Sequence, residues 1–210
     1  WITYQQLMPY KTVGNRFVEI NLVPDKDAKT GRVKGFYAFI QDISERKQAE
    51  EKLRSVAELD SFRVRLSDVL RGLDSPVEVQ SAASRLLGEY LKANRVAYFE
   101  VQNDSYYVER DYVSGVPHIS GSFPVDSFGD NLLKSYRAGK TVSGFDIESD
   151  QDLSLSMRQG FASIHIRSFI GVPLIKEDEF VAGLSVHSAT PRKWTDDEIE
   201  IVKETAERTW

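Results

Sequence analysis

The chain has 210 residues, 41% of them hydrophobic, and a formal net charge of −5, which is enough to build one large or two small cores in an ordinary soluble chain. Acidic and basic residues are interspersed without a basic stripe, which argues against a nucleic-acid partner; cysteine is absent, which excludes disulfides, thiolate nucleophiles, Cys-based metal sites and covalent thioether attachment of a chromophore. The apolar runs fall far short of a membrane span and Trp1 begins mid-pattern rather than in a leader, so the chain is expected to be a cytoplasmic segment of a longer protein.

The first elements in the chain are strands. Val18, Ile20 and Leu22 alternate with Glu19 and Asn21, and Phe36-Tyr37-Ala38-Phe39-Ile40 forms a second β-prone run between Gly35 and Asp42. Alternation stops at Asp42-Ile43-Ser44-Glu45-Arg46-Lys47, where a long charged helix starts within a residue or two of Ile43; Asp42 and Glu45 have capping-box spacing. Along that helix Ala49, Leu53, Val56, Leu59, Phe62, Leu66, Val69 and Leu73 recur in steps of three and four and define one apolar stripe. Its other face carries opposite charges four apart, Asp42 with Arg46, Lys47 with Glu51, and Glu50 with Arg54. Two readings of the stripe stand. One is a single amphipathic helix lying on its own domain; the other is a parallel coiled-coil seam in a homodimer, built from Leu53, Val56, Phe62, Leu66 and Val69 with a register change near Leu59.

A second helix is expected from Pro76 to about Lys92, with Ser75 as N-cap, Glu78 placed to bond back to it, and Asn94 as its stop. Val96 to Val101 and Tyr106 to Val113 then read as an antiparallel hairpin around Asn103-Asp104-Ser105. Residues 114–163 carry short helical pieces, Gly129 to Ala138 stopped by Gly139 and about Leu153 to Gln159 stopped by Gly160. Ser168 to Ile175 and Phe180 to His187 form a second strand pair around Lys176-Glu177-Asp178-Glu179. In the closing helix Thr195 and Glu198 make a capping box, with Trp194 and Ile199 at staple positions.

These patterns describe an α+β chain: antiparallel strands, a long connecting helix, then an antiparallel sheet with helices packed on one face. The strands "VEINLVPD" and "GFYAFIQDI" and the exit Asp42-Ile43-Ser44-Glu45-Arg46-Lys47 resemble the C-terminal part of a PAS domain, over residues 1–43. The motifs "RVAYFEV" from Arg95, "RSFIGVPLI" from Arg167, "GLSVHS" from Gly183, "PRKWTDDEIEIV" from Pro191 and "AERTW" from Ala206 resemble a GAF domain, over residues 62–210. Residues 44–73 connect the two and share the first GAF helix.

The two resemblances imply a sensory and relay module of a bacterial signal-transduction protein, a sensor histidine kinase of the two-component kind, in which a dimeric helix passes a conformational change to a downstream output domain. The segment itself is then not an enzyme. Its signalling joint is Asp42, Ile43, Ser44 and Arg46. The alternative is a GAF sensor of a small molecule or non-covalent chromophore, feeding a diguanylate cyclase or other output. For that reading Tyr98, Tyr112, Phe123, Phe128, Tyr136, Phe161 and His165 are the candidate pocket residues. A small-molecule reductase on this scaffold is a third reading without a plausible acid/base pair to support it. No cofactor is expected: a covalent bilin needs a cysteine, and the signature of cyclic-nucleotide-binding relatives is missing. His118, His165 and His187 lack paired metal-ligand spacing. A single axial haem ligand remains open for His118 and His165, whereas His187 is read as structural, near a sheet edge. The acidic run Asp146, Glu148, Asp150 and Asp152 reads as a solvated cluster without a paired partner.

Overall fold

The computed structural model describes residues 1–209 and divides the chain into two compact units, Trp1–Arg63 and Val64–Trp210. Trp210, the last residue of the "AERTW" motif, lies outside the described residues.

The N-terminal unit is a three-stranded antiparallel meander, β1 (Ile2–Tyr10), β2 (Gly14–Lys26) and β3 (Val33–Asp42), in the order β1-β2-β3. Tyr4 faces Ile20 and Ile20 faces Ile40 across the ladders. Val18 and Ile20 on the central strand are buried, whereas Phe36, Tyr37, Phe39 and Ile40 on β3 are exposed. The β2–β3 connection is held by Asp27, whose Oδ1 accepts from the backbone N–H groups of Lys29 and Thr30, both at 2.8 Å, while its other oxygen pairs with Lys34 at 2.9 Å. These contacts hold the Asp27 carboxyl down at about 2.

Helix α1 (Ser44–Leu70) follows β3 with Ile43 between them, and the boundary between the units falls inside it. The expected helix-face ion pairs are replaced by others. Asp42 pairs with Arg16 at 3.8 Å, Arg46 with Glu19 at 3.3 Å and with Glu50 at 3.8 Å, and Arg54 with Glu58 at 2.8 Å. Being exposed, these pairs are screened by water and salt and contribute little to stability.

The C-terminal unit is built on a seven-stranded antiparallel sheet. Its strands are β4 (Arg95–Gln102), β5 (Ser105–Val108), β6 (Asp111–Val113), β7 (Gly121–Pro124), β8 (Val142–Gly144), β9 (Ser168–Lys176) and β10 (Glu179–Ser188). They run in the order β7-β5-β4-β10-β9-β8, with β6 paired to the start of β4. The expected strand from Tyr106 to Val113 is thus two: β5 pairs with the end of β4 and β6 with its beginning. Four helices complete the unit, α2 (Pro76–Leu91), α3 (Asp130–Arg137), α4 (Leu155–Ser163) and α5 (Asp196–Arg208).

Helices cover both faces of this sheet, not one. Tyr98 on β4 donates from its hydroxyl to the Thr205 carbonyl on α5 at 3.4 Å. The neighbouring Phe99 points the other way and stacks on Tyr136 of α3, with centroids 6.2 Å apart. Phe161 of α4 stacks on Phe169 of β9 on that second side. Burial on both faces explains why β9 and β10 read as nearly continuous apolar runs. Gly171 is needed on the α3 side, because a Cβ there would stand 1.7 Å from the Tyr136 hydroxyl.

The helix ends follow their chemistry unevenly. At α5 both halves of the expected capping box form, Glu198 N–H to Thr195 Oγ1 at 3.2 Å and Thr195 N–H to Glu198 Oε2 at 2.8 Å. At α2, Ser75 makes no side-chain cap bond, and the left-handed stop is Lys92 (φ 51°) rather than Asn94. Asn94 instead ties two loops together, donating to the Ser114 carbonyl and accepting from the Ala189 N–H. Helix α4 runs through Gly160 to Ser163; a glycine inside a helix costs only about 1 kcal/mol, and the three further residues 161–163 offset it.

Candidate functional site

The α3/α4 side of the C-terminal sheet holds a partly open cavity of about 70 Å³. Phe99, Tyr106, Phe169, Ser185 and His187 rise into it from the strands, and Phe128, Leu132, Tyr136, Phe161 and Ile164 close it from the helical segments and loops. The aromatic rings form a chain of contacts: Phe99 edge-on to Tyr106 at 5.0 Å, Tyr106 to Phe128 at 6.2 Å, Phe128 to Phe161 at 5.0 Å, and Phe161 stacked on Phe169 at 5.9 Å. Edge and offset geometries of this kind add to the burial of the rings themselves.

Ser185, Tyr106, Tyr136 and His187 bring polar atoms into this apolar lining. Ser185 is satisfied, donating to the Ala97 carbonyl at 3.3 Å. The Tyr106 hydroxyl and His187 Nδ1 are buried with no protein partner, a costly state for either group. Burial pushes the His187 imidazole down to about 3, and the Arg95 charge pushes it the same way. Burial also pushes the Tyr106 phenol up to about 12, partly opposed by Arg137, and raises Tyr136. Every titratable group lining the cavity is therefore neutral at pH 7.

Arg95 lies on the strand face of His187, paired with it across the β4–β10 ladder, and is fully buried. Its guanidinium donates to the Ile164 carbonyl at 2.9 Å and the Pro117 carbonyl at 2.5 Å, and stands 3.4 Å from the Asp111 carboxylate. Asp111 also accepts from the Ile119 N–H at 3.0 Å and contacts His118 Nδ1 at 2.5 Å. One buried cation thus fastens the end of α4 and the loop before β7 to the sheet.

The pocket candidates divide. Phe123, Phe128, Tyr136 and Phe161 line the cavity. Tyr98 faces α5 on the opposite side, Tyr112 packs over Gly88 of α2, and His165 is exposed just beyond α4 with φ 60°. Sequence reasoning missed Phe99, Tyr106, Phe169 and His187. The strand alternation held a signal, since Phe99 and His187 are in phase with Ala97 and Ser185, but both faces are apolar and the phase alone did not say which faces a cavity. His187 is on the interior strand β10 between β4 and β9, not at an edge. The acidic run does have a partner: Arg167 pairs with Asp146 at 2.7 Å and also with Glu148. Among the described residues no cluster of three or more His, Asp or Glu is placed to hold a metal ion, and no helix is long and apolar enough to cross a membrane.

At the joint, Ile43 and Ser44 are buried. The Ile43 N–H donates to the Phe17 carbonyl at 2.8 Å, the Phe17 N–H to Ser44 Oγ at 2.9 Å, and the Ser44 N–H to Asp42 Oδ1 at 2.9 Å. With Arg46 on Glu19, the first turn of α1 is pinned to β2. The seam candidates divide as well. Phe62 and Leu66 are buried within the chain, whereas Leu53, Val56 and Val69 are exposed.

The depressed His187 pKa has a direct consequence. The unfolded imidazole titrates near 6.5 and the folded one near 3, so its contribution is fully present above pH 6.5 and is lost as pH falls toward 3. Unfolding free energy is expected to fall by up to about 1.4 kcal/mol per pH unit between pH 6 and 4 from this residue. Denaturant titrations of wild type and His187→Leu check it: the variant has the flatter profile, and parallel profiles would remove the assignment.

No curated protein matches the sequence. Among solved structures, one similar fold is a far-red absorbing dark state with bound biliverdin IXa, at 12% identity and TM-score 0.62 over 72% of this chain and 94% of that one. Another is a phycocyanobilin-bound GAF domain from a cyanobacterial phytochrome, at 19% identity and TM-score 0.60 over 71% and 92%. The chromophore-binding domain of a bacteriophytochrome from R. palustris is similar over 98% of this chain and 71% of its own, at 13% identity and TM-score 0.62. These likenesses concern the fold. They correct the expectation that no cofactor belongs here, because the structures that share the fold hold bilins, although the absence of cysteine still argues against a covalent attachment. Residues 75–210 match the model of the GAF domain family, and the chain belongs to that family.

Proposed function

We propose that this chain is a non-catalytic sensory and relay module of a bacterial signalling protein, with a ligand held non-covalently in the GAF cavity and a histidine kinase as output. The three-stranded sheet is the C-terminal part of a PAS domain, and α1 carries the signal between modules as part of a homodimer. The observation that carries this reading is the joint: β3 enters α1 through Ile43, and the first helical turn is hydrogen-bonded to the neighbouring strand β2. A shift of the sheet therefore moves the helix start, and a helix transmits rotation or translation along its axis. Similar folds that hold bilins support the sensory half of the reading. The neutral, apolar cavity supports ligand binding over catalysis, since none of its titratable groups is poised near pH 7.

Native mass spectrometry of the purified chain tests the proposal, with a dimer carrying a small-molecule adduct as the expected species. A bare monomer at all concentrations overturns the dimeric relay. Asp42→Ala is expected to loosen the helix start, through loss of the bond from the Ser44 N–H. Calorimetry is expected to show the first transition lowered and the GAF transition unmoved.

A further inference from the structure

The geometry points to a small, neutral, single-ring aromatic compound bearing one hydroxyl, carbonyl or ring N–H as the ligand class of the GAF cavity, read by His187 Nδ1 and the Tyr106 hydroxyl. This inference rests on the proposed reading of the cavity as a ligand site. Size is the first argument. A free volume of about 70 Å³ is about half that of an engineered apolar cavity of about 150 Å³ that admits benzene. A single ring enters if the half-buried Phe123, Phe128 and Leu132 yield slightly, whereas a linear tetrapyrrole requires the helical side to be displaced.

Charge is the second argument. Among the described residues, the cavity lining contains no Lys, Arg, Asp or Glu. The nearest buried cation, Arg95, is already matched by Asp111 and donates to two backbone carbonyls. A carboxylate or phosphate entering here would lose its hydration without gaining a counter-charge. Hydrogen bonding is the third. Two buried polar atoms on cavity-lining residues, His187 Nδ1 and the Tyr106 hydroxyl, await a partner. A phenol hydroxyl can donate to the imidazole nitrogen and accept from the tyrosine, and a pyrrole N–H can donate to either. The surrounding rings offer faces and edges to a planar guest.

The test uses the full chain with four probes: phenol, pyrrole, benzoate and biliverdin, the last a linear tetrapyrrole bearing two carboxylates. Phenol and pyrrole are expected to raise the GAF melting temperature and shift backbone amide resonances of Tyr106 and Phe161, with no effect from benzoate at equal concentration. His187→Leu is expected to weaken phenol about tenfold, the equivalent of one hydrogen bond. Tyr106→Phe, which removes only an unpartnered hydroxyl, provides the same readout where His187→Leu fails to fold. Benzoate or biliverdin binding at least as tightly as the neutral probes overturns the ligand class and leaves the cavity standing as a ligand site. Binding by none of the four overturns both.

Discussion

Replacing Arg95 by Met is expected to destabilise the GAF fold by about 3–5 kcal/mol, the cost of breaking one side of a buried ion pair. Arg95 and the Asp111 side chain are 0% and 1% exposed. Removing the guanidinium leaves the buried carboxylate with only His118 and the Ile119 N–H as partners, and leaves the Pro117 and Ile164 carbonyls without their donor. Both carbonyls belong to segments beside the cavity, so the loss also loosens its enclosure. Urea denaturation measures the stability, and faster amide exchange in residues 114–120 and 155–166 measures the loosening. Adding Asp111→Asn is expected to recover part of the loss, because the amide keeps an oxygen for the Ile119 N–H and carries no stranded charge. A double variant no more stable than Arg95→Met would show that the carbonyl bonds, not the ion pair, dominate.

Leu66→Ala and Leu53→Ala, identical changes on one helix, are expected to differ by several kcal/mol. Leu66 is 1% exposed and Leu53 is 71% exposed. Truncating the first removes packed methyl groups and opens a cavity, at about 2–5 kcal/mol. Truncating the second leaves chain stability within about 0.5 kcal/mol. If α1 dimerises through its exposed stripe, Leu53→Ala raises the dimer dissociation constant instead. Unfolding at low concentration and sedimentation at high concentration separate the two effects. Equal unfolding costs at the two positions would contradict the division of the helix.

Local chemistry was legible where one segment decides the outcome. Asp42 to Lys47 marks the strand-to-helix change, Thr195 with Glu198 marks the start of α5, and Asn103-Asp104 with positive φ marks the β4–β5 turn. In each case the partners lie within a few residues, so spacing is sufficient. The GAF fold was legible as well, because the order of its strand and helix signals follows the chain.

The cavity was only half legible. Phe128, Tyr136 and Phe161 come from short helical and irregular segments whose aromatics have few other places to pack. Tyr98 and Phe99 are adjacent and both buried, and choosing between them requires knowing which sheet face α5 covers. The same limit hid His187, whose significance lies in an Nδ1 that finds no partner among distant neighbours, and Arg95, whose side-chain hydrogen bonds reach 69 positions away.

The sequence by itself determined the absence of thiol chemistry, the order of the long helices and the main strand pairs, the joint and the GAF family pattern, since these depend on residue type and short-range spacing. Tertiary structure alone decided which strand face encloses the cavity, which stripe residues remain exposed, and which polar groups are buried without a partner. Those outcomes depend on long-range pairing and two-sided packing, where a shift of one residue turns a side chain from one face of the sheet to the other.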